Sequence, residues 1–151
     1  MFDHFIYKYS AFEKRCVVPI TAFFEPHEYR GTKYPILFKN SKEKFLSVAG
    51  IYSITKDGFV SFSLLTKKGS PFFAKIHNTT AEPRQIILLN DILVKEWLNP
   101  DLTESHIKEI MNVQFPESEL QTYSVSRDVF KQTDSNYPEI LEFEEYEGLD
   151  I

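Results

Sequence analysis

Residues 17–29 read VVPITAFFEPHEY. The run opens as a buried strand, with Val17, Val18 and Ile20 among aromatic and β-branched neighbours. It then passes from Phe23 and Phe24 straight into a carboxylate, Glu25, with Pro26, His27 and Glu28 behind it. An apolar strand that runs into an acid has two readings. Glu25 is a structural carboxylate satisfied by backbone amides, or a general acid/base whose pKa is raised by the phenylalanines around it. Pro26 bounds the apolar run, and His27, Glu28 and Tyr29 read as the lining of the turn beyond it.

Downstream of this stretch the pattern stays strand-like. Residues 34–40 (YPILFKN) and 45–54 (FLSVAGIYSI) are rich in β-branched and aromatic side chains. In 58–66 (GFVSFSLLT), Phe59, Ser61 and Ser63 alternate with Val60, Phe62 and Leu64. TKDG at 55–58 is a hairpin signal, with Gly58 free to take a positive φ. Short helices are expected at 70–78, capped by Ser70 with Pro71 in the first position, at 90–100 behind Asn90 or Asp91, and at 103–112 behind Thr103. Strands are expected at 83–89 and 120–126. The fold class is α+β: a sheet-dominated, curved and mostly antiparallel arrangement, barrel-like, with a few short helices. One domain is expected over 1–141, followed by an acidic tail over 142–151.

His77 stands at the end of the first helix. It reads as a C-terminal histidine favoured by the helix dipole, or as an acid/base or oxyanion-stabilising imidazole. Asn78 beside it could orient a substrate oxygen. No His or Cys pair has metal-ligand spacing, so no metal is expected. His4 and His106 have no evident partner. Cys16 sits in the apolar strand beside Val17 and Val18 and reads as an inert buried thiol.

The chain has 151 residues, 42% of them apolar and 26% charged, with aromatics at 15%. One cysteine rules out an intrachain disulfide. The first residues have no continuous apolar core of a signal peptide, and no apolar run approaches a membrane span. A cytoplasmic, membrane-free protein is expected. The net charge of −5 is uneven: residues 1–84 hold 13 basic against 7 acidic residues, and 85–151 hold 4 against 15. A basic N-terminal portion keeps nucleic acid open as a partner despite the overall acidity.

Several of these segments together resemble the SOS response-associated peptidase (SRAP) family. RCVVPITAFFEPHE is similar to that family's RCLVPADGFYEW signature, FLSVAGIY to its FAFAGLW strand, and LLTKKGSPFFAKIHN to its segment ending in IHNR. EWLNP and YSVSRDVF resemble its later helix and closing strand, and the order of all five is kept. The resemblance covers about residues 3–138. It implies single-stranded DNA binding and capture of abasic sites, by an N-terminal cysteine whose amine and thiol trap the sugar aldehyde as a thiazolidine. It implies autopeptidase activity as well, and no cofactor. The family's assisting glutamate and histidine fall on Glu25 and His77; Asn78, Arg84, Phe24 and Lys75 are the expected substrate-binding residues. Where the family carries tryptophan after the glutamate, this chain has Pro26, and AEPRQ replaces an RMP after the histidine. Cys16 aligns with the internal RC rather than with the nucleophile. The chain therefore reads as the C-terminal two thirds of the fold, with two catalytic groups and without the family's N-terminal cysteine segment, so whether it is an enzyme is open. The alternative is a non-catalytic nucleic-acid- or partner-binding module, or the product of a truncated gene. An open sheet edge would favour a homodimer.

Overall fold

The structure, a computed structural model, describes residues 11–42, 44–131 and 133–151. His4 lies outside the described residues. In chain order the strands are β1 (Arg15–Ile20), β2 (Ala22–Tyr29), β3 (Thr32–Asn40), β4 (Leu46–Ile54), β5 (Val60–Leu64), β6 (Thr66–Lys68), β7 (Arg84–Ile86), β8 (Leu88–Leu89) and β9 (Leu120–Ser124). The helices are α1 (Pro71–Ile76), α2 (Asp91–Trp97) and α3 (Glu104–Asn112). Each begins where the capping residues place it. Ser70 Oγ accepts from Phe73 N, Asn90 Oδ1 from Leu93 N, and Thr103 Oγ1 from His106 N.

The fold is α+β and its sheets are antiparallel, as the alternating pattern implied. Among the described residues no sheet closes into a barrel. The strands divide instead into a β1–β4–β5 sheet with β8 also on β4, a β2–β3–β9 sheet, and a β6–β7 pair. The barrel-like expectation fails at Thr21. The apolar run bounded by Pro26 divides there: β1 ends at Ile20 and β2 begins at Ala22 in a different sheet. Composition is uniform across the break, so nothing local announced it.

The chain divides into two compact units. The first takes the described part of residues 1–20 together with Leu46–Lys67 and Gln85–Phe115. Its core joins Ala49, Ile51, Leu65, Ile87, Leu89, Trp97, Ile107 and Ile110. Trp97 is fully buried; its Nε1–H donates to the Cys16 carbonyl at 3.0 Å, and the Arg15 Nε–H donates back to the Trp97 carbonyl at 2.7 Å. Cys16 is partly buried, and burial pushes its thiol pKa up. Opposite it, a Cβ on Gly50 would lie 3.0 Å from the Cys16 Sγ, so glycine leaves the room that the thiol fills.

The second unit takes Thr21–Phe45, Lys68–Arg84 and Pro116–Ile151. Here β2 and β3 form a hairpin whose turn is Arg30–Gly31, with φ of 51° and 75°. Two successive positive φ values define a type I′ turn, which matches the right-handed twist of the strands. The turn therefore lies beyond Tyr29, and His27, Glu28 and Tyr29 belong to β2 rather than lining a turn. Pro26 is accommodated because β2 is an edge strand.

Residues 142–151 are packed against this unit. The Glu144 N–H donates to the Ser124 carbonyl and the Ser124 hydroxyl donates to the Glu144 carbonyl, tying the segment to the end of β9. Tyr146 packs against Tyr34 with ring centroids 4.6 Å apart and the rings tilted, donates its hydroxyl to the Val125 carbonyl and accepts from the Arg127 N–H. Among the described residues no helix is long and apolar enough to cross a membrane.

Candidate acid–base site

Strand alternation decides which residues of β2 reach α1. Phe23, Glu25 and His27 share one face, and each makes a different contact with the helix segment. Phe23, Phe38 and Phe73 stack nearly parallel, with centroids 4.8 Å apart between Phe23 and Phe38 and 4.8 Å between Phe38 and Phe73. Phe72 meets Phe38 and Phe73 edge-on, and Ile36 and Ile76 complete the cluster. This aromatic stack clamps α1 to the β2–β3 hairpin. At the other end of the face, the His27 Nδ1–H donates to the Ile76 carbonyl at 2.8 Å. A carbonyl only accepts, so this bond fixes the His27 tautomer.

Glu25 lies between these two anchors. Its Oε2 is 2.8 Å from His77 Nδ1, and the two side chains are 12% and 20% exposed. His77 is the C-cap of α1, held by its own N–H donating to the Phe73 carbonyl. One residue further, Asn78 Oδ1 accepts from the Glu28 N–H and its Nδ2 donates to the Glu28 carbonyl. That two-way amide bond imitates a strand partner on the free edge of β2 and pins the turn that carries His77. The side-chain amide of Asn78 is thus engaged with β2.

Burial raises the Glu25 pKa to about 7. Burial also lowers the His77 pKa below its ordinary 6.5, helped by the positive charge of Lys33. The ordering is the reverse of an ordinary carboxylate–imidazolium pair. Near neutral pH the carboxyl group is only partly ionised and faces an imidazole held toward its neutral form. The contact is short but poorly aligned: His77 Nδ1 is buried without a well-directed hydrogen bond. The result is an acid and a base side by side, each with its pKa moved toward the working range of the other.

The remaining sequence-identified residues fall at different places. Lys75 is exposed on the last turn of α1, next to the histidine turn. Arg84 opens β7 and is exposed. Phe24 lies on the opposite face of β2 from Glu25 by alternation, so the strand that carries both does not bring them together. His106, without an evident partner in the sequence, has its Nδ1 3.1 Å from the Thr103 hydroxyl. Sequence reasoning missed the anchoring role of His27 and the charge of Lys33. A period-two count from Glu25 would have placed His27 on the face of the acid. Lys33 becomes visible only through the hairpin register, which sets it opposite Glu28.

Fold and site together define an α+β protein with a buried carboxyl–imidazole pair held between an edge strand and a helix end. The SOS response associated peptidase (SRAP) family model matches residues 1–132, and the chain belongs to this family. It is 28% identical over 134 residues to the abasic site processing protein YobE of Bacillus subtilis (strain 168), covering 85% of this chain and 56% of that protein. It is also 27% identical to the abasic site processing protein YoqW of Bacillus phage SPbeta, covering 57% of that protein. The chain thus spans just over half the length of these relatives. A crystal structure of a Bacteroides thetaiotaomicron protein superposes with a TM-score of 0.82 at 28% identity, covering 95% of this chain and 62% of that one.

Proposed function

We propose that this chain acts on abasic sites in single-stranded DNA as part of the response to DNA damage, with Glu25 and His77 opening the abasic sugar. An abasic deoxyribose is mostly a closed hemiacetal, and its aldehyde is exposed only when one proton leaves the C1 hydroxyl and another reaches the ring oxygen. A neutral carboxylic acid beside a neutral imidazole supplies that donor and acceptor in one site. The observation that supports the reading is the 2.8 Å Glu25–His77 contact with the Glu25 pKa raised to about 7. The names of the relatives point the same way. Lys75, Lys33 and Arg84 would hold flanking phosphates, and Asn78 would fix the histidine turn against substrate.

Stable capture of the aldehyde is a separate step. It needs an amine and a thiol on one residue, so that the first-formed imine closes into a five-membered ring. Cys16 has a thiol, but its nitrogen is a backbone amide inside β1. The effective concentration gained by intramolecular attack, of order 10⁵ M or more, is lost when thiol and amine are apart.

The test uses an oligonucleotide with one abasic site and an alkoxyamine that captures the open aldehyde. At saturating alkoxyamine, ring opening limits the rate. The chain should accelerate capture by about 10²-fold, within the usual range of general acid–base catalysis. No heat-stable adduct on Cys16 should form. Binding of the oligonucleotide without acceleration would refute the acid–base reading and leave a nucleic-acid-binding module. A stable adduct mapped to Cys16 would refute the argument about the nucleophile.

The C-terminal acids lie along the hairpin that carries the site. Tyr146 sits on Tyr34, the register partner of His27, and a Cβ on Gly148 would come within 2.9 Å of the Tyr29 hydroxyl. Glu145, Glu147 and Asp150 are exposed there. Their combined neutralisation (Glu145→Gln, Glu147→Gln, Asp150→Asn) should tighten single-stranded DNA binding by roughly threefold to tenfold at low salt. Fluorescence anisotropy should show the difference vanishing at high salt. An effect that persists at high salt would mean that the acids act through structure rather than charge.

A further inference from the structure

The C-terminal segment crosses the face of the sheet that carries the acid–base pair. By alternation His27 and Tyr29 share that face with Glu25. The register continues the face across the sheet. Tyr34 of β3 lies opposite His27, and Ser124 of β9 lies opposite Ile36, the partner of Glu25. The segment meets these residues in turn: Glu144 is bonded to Ser124, Tyr146 packs on Tyr34, and Gly148 approaches the Tyr29 hydroxyl. It thus runs from β9 over β3 to β2, on the side of the sheet to which α1 is clamped.

The contacts of Tyr146 describe the ligand that its seat accepts. Its ring lies 4.6 Å from the Tyr34 ring, and the Arg127 guanidinium is 5.8 Å from the same Tyr34 ring. Its hydroxyl donates to the Val125 carbonyl and accepts from the Arg127 N–H, both at 3.1 Å. The seat therefore offers an aromatic surface, a cation, one backbone acceptor and one backbone donor. An unpaired nucleobase answers all of them. It has a π face for the ring and the guanidinium, and a pairing edge on which every base carries a donor beside an acceptor. An aliphatic side chain would use the ring and leave the backbone pair unmet. The rest of the segment has the character of a nucleic-acid strand, with Glu144, Glu145, Glu147 and Asp150 set around Phe143 and Tyr146 as phosphates are set around bases.

We propose that Tyr34, Val125 and Arg127 form a seat for a nucleobase neighbouring the abasic site, and that Tyr146 fills this seat until single-stranded DNA displaces it. Tyr34 is level with His27, one like-facing repeat of about 7 Å along the strand from Glu25, so the seat flanks the acid–base pair. Its hydrogen-bonding groups are main-chain atoms that suit every base, so the seat is indifferent to sequence. The proposal rests on the abasic-site reading and names a subsite beside it.

The test uses an abasic oligonucleotide with 2-aminopurine next to the lesion, a base whose fluorescence is quenched on stacking. Tyr146→Ala should deepen the quenching and tighten binding by about fivefold or more. An oligonucleotide with baseless residues on both sides of the lesion should gain nothing from the same change, which separates the seat from the charge of the tail. Tyr34→Ala added to Tyr146→Ala should remove the gain. In the unaltered chain, saturating oligonucleotide should speed hydrogen exchange at the Glu144 and Leu149 amides by about tenfold or more, because both are bonded only while the segment is in place. The proposal is overturned by no gain, by an equal gain with the baseless oligonucleotide, by a gain that survives Tyr34→Ala, or by tail exchange that ignores DNA. Seating needs no ring opening. Quenching without accelerated aldehyde capture would refute the acid–base reading and leave the seat, whereas acceleration without quenching would refute the seat alone.

Discussion

Glu25→Gln should abolish the acceleration of aldehyde capture and at the same time make the protein more stable in alkali. The two effects share a cause. In the unfolded chain the carboxyl group titrates near 4.5, and in the fold it titrates at about 7. Between these values the folded chain binds more protons than the unfolded one, so stability falls as pH rises through the window. Above pH 7 the fold carries the whole penalty of a buried carboxylate. His77 works in the opposite sense. Its lowered pKa means that the unfolded chain binds more protons below about 6.5, so the histidine contribution is lost as pH falls. Glutamine keeps the shape and removes the ionisation. After discounting for the solvent that reaches this site, Glu25→Gln should gain about 1–3 kcal/mol at about pH 9 and nothing comparable at about pH 5. Differential scanning fluorimetry should show Tm rising by roughly 5 °C at the higher pH. His77→Asn should likewise reduce the acceleration by about 10²-fold, but without the alkaline stabilisation, because the carboxyl group remains. If Glu25→Gln lowered Tm at both pH values, the carboxyl group would be a structural acceptor and the catalytic reading would fail with it.

Trp97→Ala should be the most damaging single change in the first unit. The indole, carried at the end of α2, is fully buried in the core with β4 and α3, and it satisfies the Cys16 carbonyl through its N–H. Removing an aromatic side chain of this size from a packed core costs about 3–5 kcal/mol. The carbonyl left without its donor adds about 1 kcal/mol or more. Trp97→Phe separates the two contributions, since it keeps most of the packing and loses only the N–H. Trp97 is the sole tryptophan, so unfolding in urea is followed by far-ultraviolet circular dichroism rather than fluorescence. An alanine variant within about 1 kcal/mol of the parent would show that the cluster around Ile107 and Ile110 closes over the cavity.

The sequence by itself determined the elements and the family. β-Branched and aromatic enrichment located β3 and β4, alternation located β5, and Ser70, Asn90 and Thr103 gave the start of each helix because capping is a local interaction between a side chain and backbone a few residues ahead. The order of five short segments pointed to the SRAP family, and Glu25 and His77 were identified through it. What the tertiary structure decided was everything that depends on pairing across distance. The division at Thr21 was invisible, because a strand reads the same whether its neighbours lie in one sheet or two. The fate of the C-terminal acids was invisible as well, since Tyr146 needs Tyr34 and Ser124 already in place before the segment gains a contact. The same holds for the acid that interrupts the opening strand. Glu25 is tolerated among phenylalanines because Phe23 and His27, two residues either side on the same face, hold α1 at the distance that sets His77 beside it. Residue types can suggest an acid and a base; the 51 residues between them are closed by the stacked rings of Phe23, Phe38 and Phe73, by the His27 bond to the Ile76 carbonyl and by the Asn78 amide on β2.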